Sequence, residues 1–163
     1  MKKTILILVS IIFIGCNSNE DEPNSIPFVP ITISPLNVGK GDLNGSEEVN
    51  QQNINIDNNT DWSNLKNQID AQYITMGLGN YFTDNIFTET NIDFQNFTLI
   101  AAFDQIYGNG GHSIDIINIV EYETNIVVTV QNLQTGNLTT VMTQPFHIVK
   151  IPITTKPIVF EEL

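Results

Sequence analysis

Between Asp93 and Gln131 the apolar positions gather in runs rich in β-branched residues, broken by glycine and asparagine. Leu99 to Phe103 is apolar at every position, the pattern of a strand covered on both faces. Gly108-Asn109-Gly110-Gly111 follows as a turn, where positive φ is open without steric cost. From His112 to Val120 the alternation slips. Ile114 and Ile116 share one face and Ile117 and Ile119 the other, which predicts a bulge. After Glu121 to Asn125, alternation returns with Ile126, Val128 and Val130. The stretch therefore predicts a strand, a glycine turn and a hairpin.

The flanks are less regular. Ile26 to Ile33 alternates enough for an edge strand, and Pro27 and Pro30 forbid a central one. Leu36 to Gln52, with its glycines and acids, predicts a loop, and Ile54 and Ile56 a short strand. Asn58 to Asp61 offers helix N-caps. Trp62, Leu65, Ile69 and Tyr73 then recur at helical spacing, predicting a helix from about Asp61 to Tyr73 that fails near Gly77 and Gly79. Tyr81, Phe82 and Phe87 fall in an irregular stretch. Thr135-Gly136-Asn137 marks a turn, Phe146 to Ile151 a strand stopped by Pro152, and Pro157 to Phe160 a closing segment. The expected fold is α+β: a mainly antiparallel β-sheet with one packed helix, as a single small domain over residues 26–163.

The first residues read differently. Met1-Lys2-Lys3 is a positive cap on the apolar run Ile5 to Ile14. A run of about ten residues is too short for a bilayer, which needs about 20, and fits a secretory signal. Phe13-Ile14-Gly15-Cys16 resembles a bacterial lipobox, so a signal peptide over 1–15 and lipidation at Cys16 are expected. Each buried acyl CH₂ contributes about 0.8 kcal/mol, so two or three chains would hold the protein at a membrane. Residues 16–25 lack large apolar side chains beyond the cysteine and predict a flexible acidic tether. The acidic run behind the cysteine resembles the surface-export signal of Bacteroidota lipoproteins. An outer-membrane lipoprotein, exposed at the surface and held through its lipid anchor, is the expected location.

Charge narrows the partners. Formal net charge is −12, or −14 once Lys2 and Lys3 are removed with the leader, and the chain has no arginine. Nucleic acid, whose phosphates demand Lys and Arg, is excluded as an expected partner, and so is a polybasic membrane patch. Cys16 is the one cysteine, which leaves no internal disulfide and no cysteine-based zinc cluster. The acids show no calcium-loop spacing, so neither metal nor cofactor is expected.

Candidate chemistry is sparse. His112 and Ser113 are neighbours, and on a strand their side chains would point to opposite faces. Asp104 and Asp115 flank the glycine turn as a conceivable carboxylate pair, expected to cap the turn in solvent. The glycine turn leads into a strand and lacks a P-loop lysine, so it is no phosphate loop. A non-enzymatic protein is expected. The expected recognition edge is the loop Tyr107, Gly108, Asn109, Gly110, Gly111 and His112, whose length should leave backbone donors and acceptors open to a partner. The alternative is a glycan- or small-ligand-binding surface using Trp62, Tyr73, Tyr81, Phe82 and Tyr107 for stacking. A flat exposed aromatic row would favour glycan, and buried aromatics together with an exposed glycine loop would favour a protein partner.

Five stretches resemble the C-terminal domain of the PrcB family, accessory lipoproteins of protease complexes. They are Asp61 to Leu65, Ile92-Asp93-Phe94, Leu99 to Phe103, Gly110 to Ile114, and Pro145 to Pro152. The resemblance spans roughly residues 60–160. Its most specific part is the glycine pair before a strand with Pro-Phe-His-Ile-Val downstream. This chain carries His112 where family members usually carry an aromatic residue. The resemblance implies a protein-binding module that binds and stabilises a partner protease, or another envelope protein, without chemistry of its own.

Overall fold

β4 (Phe97–Phe103) lies in the middle layer of three. Leu99, Ala101 and Phe103 face a core shared with the helices, and Ile100 and Ala102 face a core shared with a second sheet. All five are at most 1% exposed, which is why no polar residue interrupts the run. The computed structural model describes residues 27–47 and 49–163. The expected signal peptide, Cys16 and the tether lie outside the described residues.

The middle sheet joins β2 (Leu36–Leu43), β7 (Gln144–Pro152), β4 and β3 (Gln52–Ile56), in that order and antiparallel throughout. The outer sheet orders β1 (Ile31–Thr32), β5 (Asp115–Glu121), β6 (Ile126–Gln131) and β8 (Ile158–Glu162). Its one parallel ladder is β6 with β8. On the other side of the middle sheet lie α1 (Asn59–Ile69), α2 (Ala71–Thr75) and α3 (Tyr81–Ile86). The fold is α+β and sheet-dominated, with three short helices where one was expected. No described helix is long and apolar enough to cross a membrane.

The helix breaks earlier than the apolar spacing predicts. Asn58 caps α1, its Oδ1 accepting the Asp61 N–H at 2.9 Å. Trp62, Leu65 and Ile69 are buried, and the Trp62 indole donates to the Thr90 carbonyl at 2.9 Å. At Asp70 the side chain turns into the protein. Its carboxylate accepts the N–H of Phe82 at 2.8 Å, the N–H of Thr83 at 3.3 Å and the Thr83 hydroxyl. One buried carboxylate thus ends α1 and ties down the start of α3, giving Tyr81 and Phe82 a helix where an irregular stretch was expected.

The predicted loop from Leu36 is also a strand as far as Leu43. Its glycines serve packing rather than turning. A Cβ on Gly39 would come within 2.5 Å of the Phe87 ring, and one on Gly41 would lie 3.8 Å from Phe146. Glycine in a strand often marks such a close approach. The predicted bulge in β5 is present, with the register shifting between Ile116 and Asn118.

Candidate functional site

The glycine stretch is not the turn of a hairpin. β4 and β5 belong to different sheets, and residues 104–114 carry the chain from the middle layer to the outer one. A second segment, residues 132–143, returns from β6 to β7 and pairs with the first. The Gly110 and Gly111 carbonyls accept the N–H groups of Asn137 at 2.8 Å and Gly136 at 3.0 Å. Tyr107 and Thr143 exchange backbone hydrogen bonds at 2.8 and 3.1 Å. The Asn109 carbonyl accepts the Thr143 hydroxyl at 2.9 Å. The expectation of open backbone groups on this loop is therefore corrected in part. Six of the twelve backbone groups of Tyr107–His112 bond to the second segment, because two irregular segments side by side satisfy each other's polar groups.

Side chains lock the pair. The Tyr107 and His112 rings stack with centroids 3.5 Å apart and planes 6° from parallel. His112 Nε2 lies 3.1 Å from Asn109 Oδ1, and Asn109 Nδ2 donates to the Asn137 carbonyl at 2.9 Å. Gly136 has φ of +99°, and a Cβ there would collide with the His112 ring and approach Asn109 Nδ2 to 2.7 Å.

Asp104 and Asp115 do not act as a carboxylate pair, and neither caps a turn in solvent. Both are buried, each with its own donors. Asp104 accepts the Gln105 N–H at 2.7 Å and, at 2.8 Å each, the Tyr107 hydroxyl and the Asn132 amide. Burial and that carboxylate raise the Tyr107 phenol above its usual pKa. Asp115 pairs with Lys40 and accepts the Ser113 hydroxyl at 2.6 Å. Burial pushes the Asp115 carboxyl up, but the donors Lys40 and Ser113 hold it below the usual range. Ser113 Oγ faces a carboxylate and accepts the Gln134 N–H at 3.1 Å, so His112 is not its base. Lys40, Asp42, His112, Ser113 and Asp115 border a cavity of about 280 Å³. There, burial raises the Asp42 carboxyl against the opposing charge of His112.

The paired segments present a mixed face to solvent, in which Asn132, Gln134, Asn137 and Thr139 are exposed beside several aliphatic side chains. Leu138 is fully exposed, Val141 and Met142 are more than half exposed, and Ile106 is 43% exposed. Ile106 and Met142 meet over Gly45. These residues, outside the expected Tyr107–His112 edge, had one signal in the sequence: Leu138 is the lone large apolar residue between Thr135 and Thr140.

The residues named for glycan stacking do not form one exposed row. Trp62 is 1% exposed and stacks on Phe87 at 5.4 Å. Tyr73 packs against Tyr81 and Phe82, and Tyr107 is covered by His112. Tyr81 alone of the five is more than half exposed. Among the described residues, no group of three or more His, Cys, Asp or Glu is placed to hold a metal. Comparison with protein-family models, curated proteins and solved structures finds no match to this chain.

Proposed function

We infer that the protein is a non-enzymatic, lipid-anchored envelope protein whose folded domain binds another protein through the paired segments around Tyr107–His112 and Leu138. The observation carrying this reading is the contrast between their inside and their outside. Half of the backbone groups of Tyr107–His112 bond within the pair, while Ile106, Leu138, Val141 and Met142 stand in solvent. Exposed aliphatics on an internally braced loop suit a protein surface, because burying them needs no further ordering of the loop. Burial of Trp62 counts against the glycan alternative. The resemblance to the PrcB family favours a protease as partner, and the run ending in Gly15-Cys16 favours an outer-membrane anchor.

The test is site-specific photo-crosslinking in intact cells of the source organism, from Leu138 and from the exposed helix position Asn64. A discrete adduct from Leu138 alone, identified by mass spectrometry as an envelope protein and lost on Gly136→Ala, is the expected result. Equal adducts from both positions, or none from Leu138, would remove the loop pair from the reading.

A further inference from the structure

Between β2 and β3 the chain crosses the helical side of the molecule, and Glu47 is buried there at 4% exposure. Its Oε1 accepts the Asn44 N–H at 3.3 Å, and Oε2 has no hydrogen-bond donor among the described residues. The four lysines of the folded part are engaged elsewhere. Lys40 pairs with Asp115, Lys150 with Glu89 and Lys156 with Glu121, and Lys66 donates to the Thr90 carbonyl. A carboxylate held from water without a cation is among the costlier arrangements a fold can keep.

Val49, two positions on, is anchored in the core, and its carbonyl accepts a 2.7 Å hydrogen bond from Nε2 of the buried Gln144, which also reaches the Asp104 carbonyl at 2.9 Å. Glu47 forms part of the wall of a cavity of about 570 Å³. Ser46, Gln68, Ala71, Gln72, Thr75 and Met76 complete its lining. The terminal torsion of a glutamate is soft, so either oxygen can turn toward the cavity.

We propose that this cavity is a binding site for an ammonium or guanidinium group on an aliphatic stem, with Glu47 as counter-ion. Its lining includes what a stem packs on, Ala71, Thr75 and Met76, together with the polar Gln68 and Gln72. The net charge of −12 draws cations toward the surface. Such a group occurs on a lysine or arginine side chain of a polypeptide and on a free diamine, and one titration separates the two. The proposal does not rest on the role of the loop pair.

Calorimetric titrations of the full chain with N-acetyl-lysine-N′-methylamide, cadaverine and the uncharged N-acetyl-norleucine-N′-methylamide provide the test. Saturable binding of at least one cation, with none of the norleucine compound, is expected. Preference for the lysine amide assigns the site to a polypeptide side chain, and preference for cadaverine to a free diamine. Glu47→Gln should weaken binding tenfold or more. Ala71→Lys, at an exposed helix position, places a cation at the cavity from within the chain. It should abolish binding and raise Tm, and it keeps the question open to test if Glu47→Gln fails to fold. No saturable heat with either cation, equal binding of the norleucine compound, less than tenfold weakening in folded Glu47→Gln, or unchanged binding by Ala71→Lys would overturn the proposal.

Discussion

His147 on β7 accepts the backbone N–H of Ile116 on β5 at 3.0 Å, so a side chain of the middle sheet completes the hydrogen bonding of the outer one. The accepting atom is Nδ1, which requires the imidazole to be neutral at that nitrogen. Burial, and then the positive charge of Lys40, lower the His147 pKa to about 4 from 6.5, against the opposing pull of Asp115. Above pH 6.5 neither folded nor unfolded chain carries this proton. Between 6.5 and about 4 the unfolded chain binds it and the folded chain does not, so stability falls as pH falls through that window and levels off below it. Partial exposure reduces the effect to about 1–3 kcal/mol. Urea midpoints at pH 7 and pH 4.5 should differ for wild type and converge for His147→Gln, which keeps an acceptor and removes the titration.

Asp70 holds α3 through two backbone N–H groups and the Thr83 hydroxyl, with no exposed surface of its own. Asp70→Ala leaves those donors unpaired, at about 2–4 kcal/mol by the cost of buried groups stripped of a charged partner. Hydrogen exchange should quicken at Phe82 and Thr83 first. Protection there equal to wild type would mean that packing alone holds α3.

Leu65 is 6% exposed in the core between α1 and the middle sheet. Leu65→Ala should destabilise the domain by about 2–5 kcal/mol. A change under about 0.5 kcal/mol, the size expected of surface positions, would place this helix face in solvent.

Gly136→Ala tests the brace between the two segments. The new methyl group meets the His112 ring and Asn109 at a positive φ, so the segments must separate. The expected signature is faster amide exchange at Gly110, Gly111 and Asn137, with Leu99–Phe103 still protected. Global unfolding would show instead that the loop pair is part of the core.

Lipidation at Cys16 is tested by Cys16→Ala, which should move the protein from the detergent phase to the aqueous phase. Wild type without acyl mass, together with a variant that still partitions with membranes, would overturn the anchor.

Strands with strong patterns were legible from the sequence. Leu99–Phe103 reads as covered twice, and the slip in alternation after Ile114 and Ile116 pointed to the bulge, although Ile119 joins their core and Ile117 alone is turned out. β2 was hidden because Gly39 makes room for Phe87, a ring distant in sequence. The early end of α1 was hidden because Asp70 answers to Phe82 and Thr83 rather than to its own helix. At the loop, glycine content located the segment. The partner that occupies its backbone, Thr135–Thr143, is 28 residues away for the pair Asn109 and Asn137 and left no local trace.

The strand order of the middle sheet has a kinetic side. β2 pairs with β7, matching Leu36 to Lys150, and β7 pairs with β4, so neither ladder joins neighbours along the chain. The β5–β6 hairpin, closed by the Tyr122 N–H to the Asn125 carbonyl, is the one pair that can form before distant segments meet. A nascent chain therefore holds an outer sheet in outline while the surface it must cover waits for β7. Until that strand arrives, Leu99–Phe103 has β3 along one edge and its other edge open, the state in which an apolar strand most needs shielding.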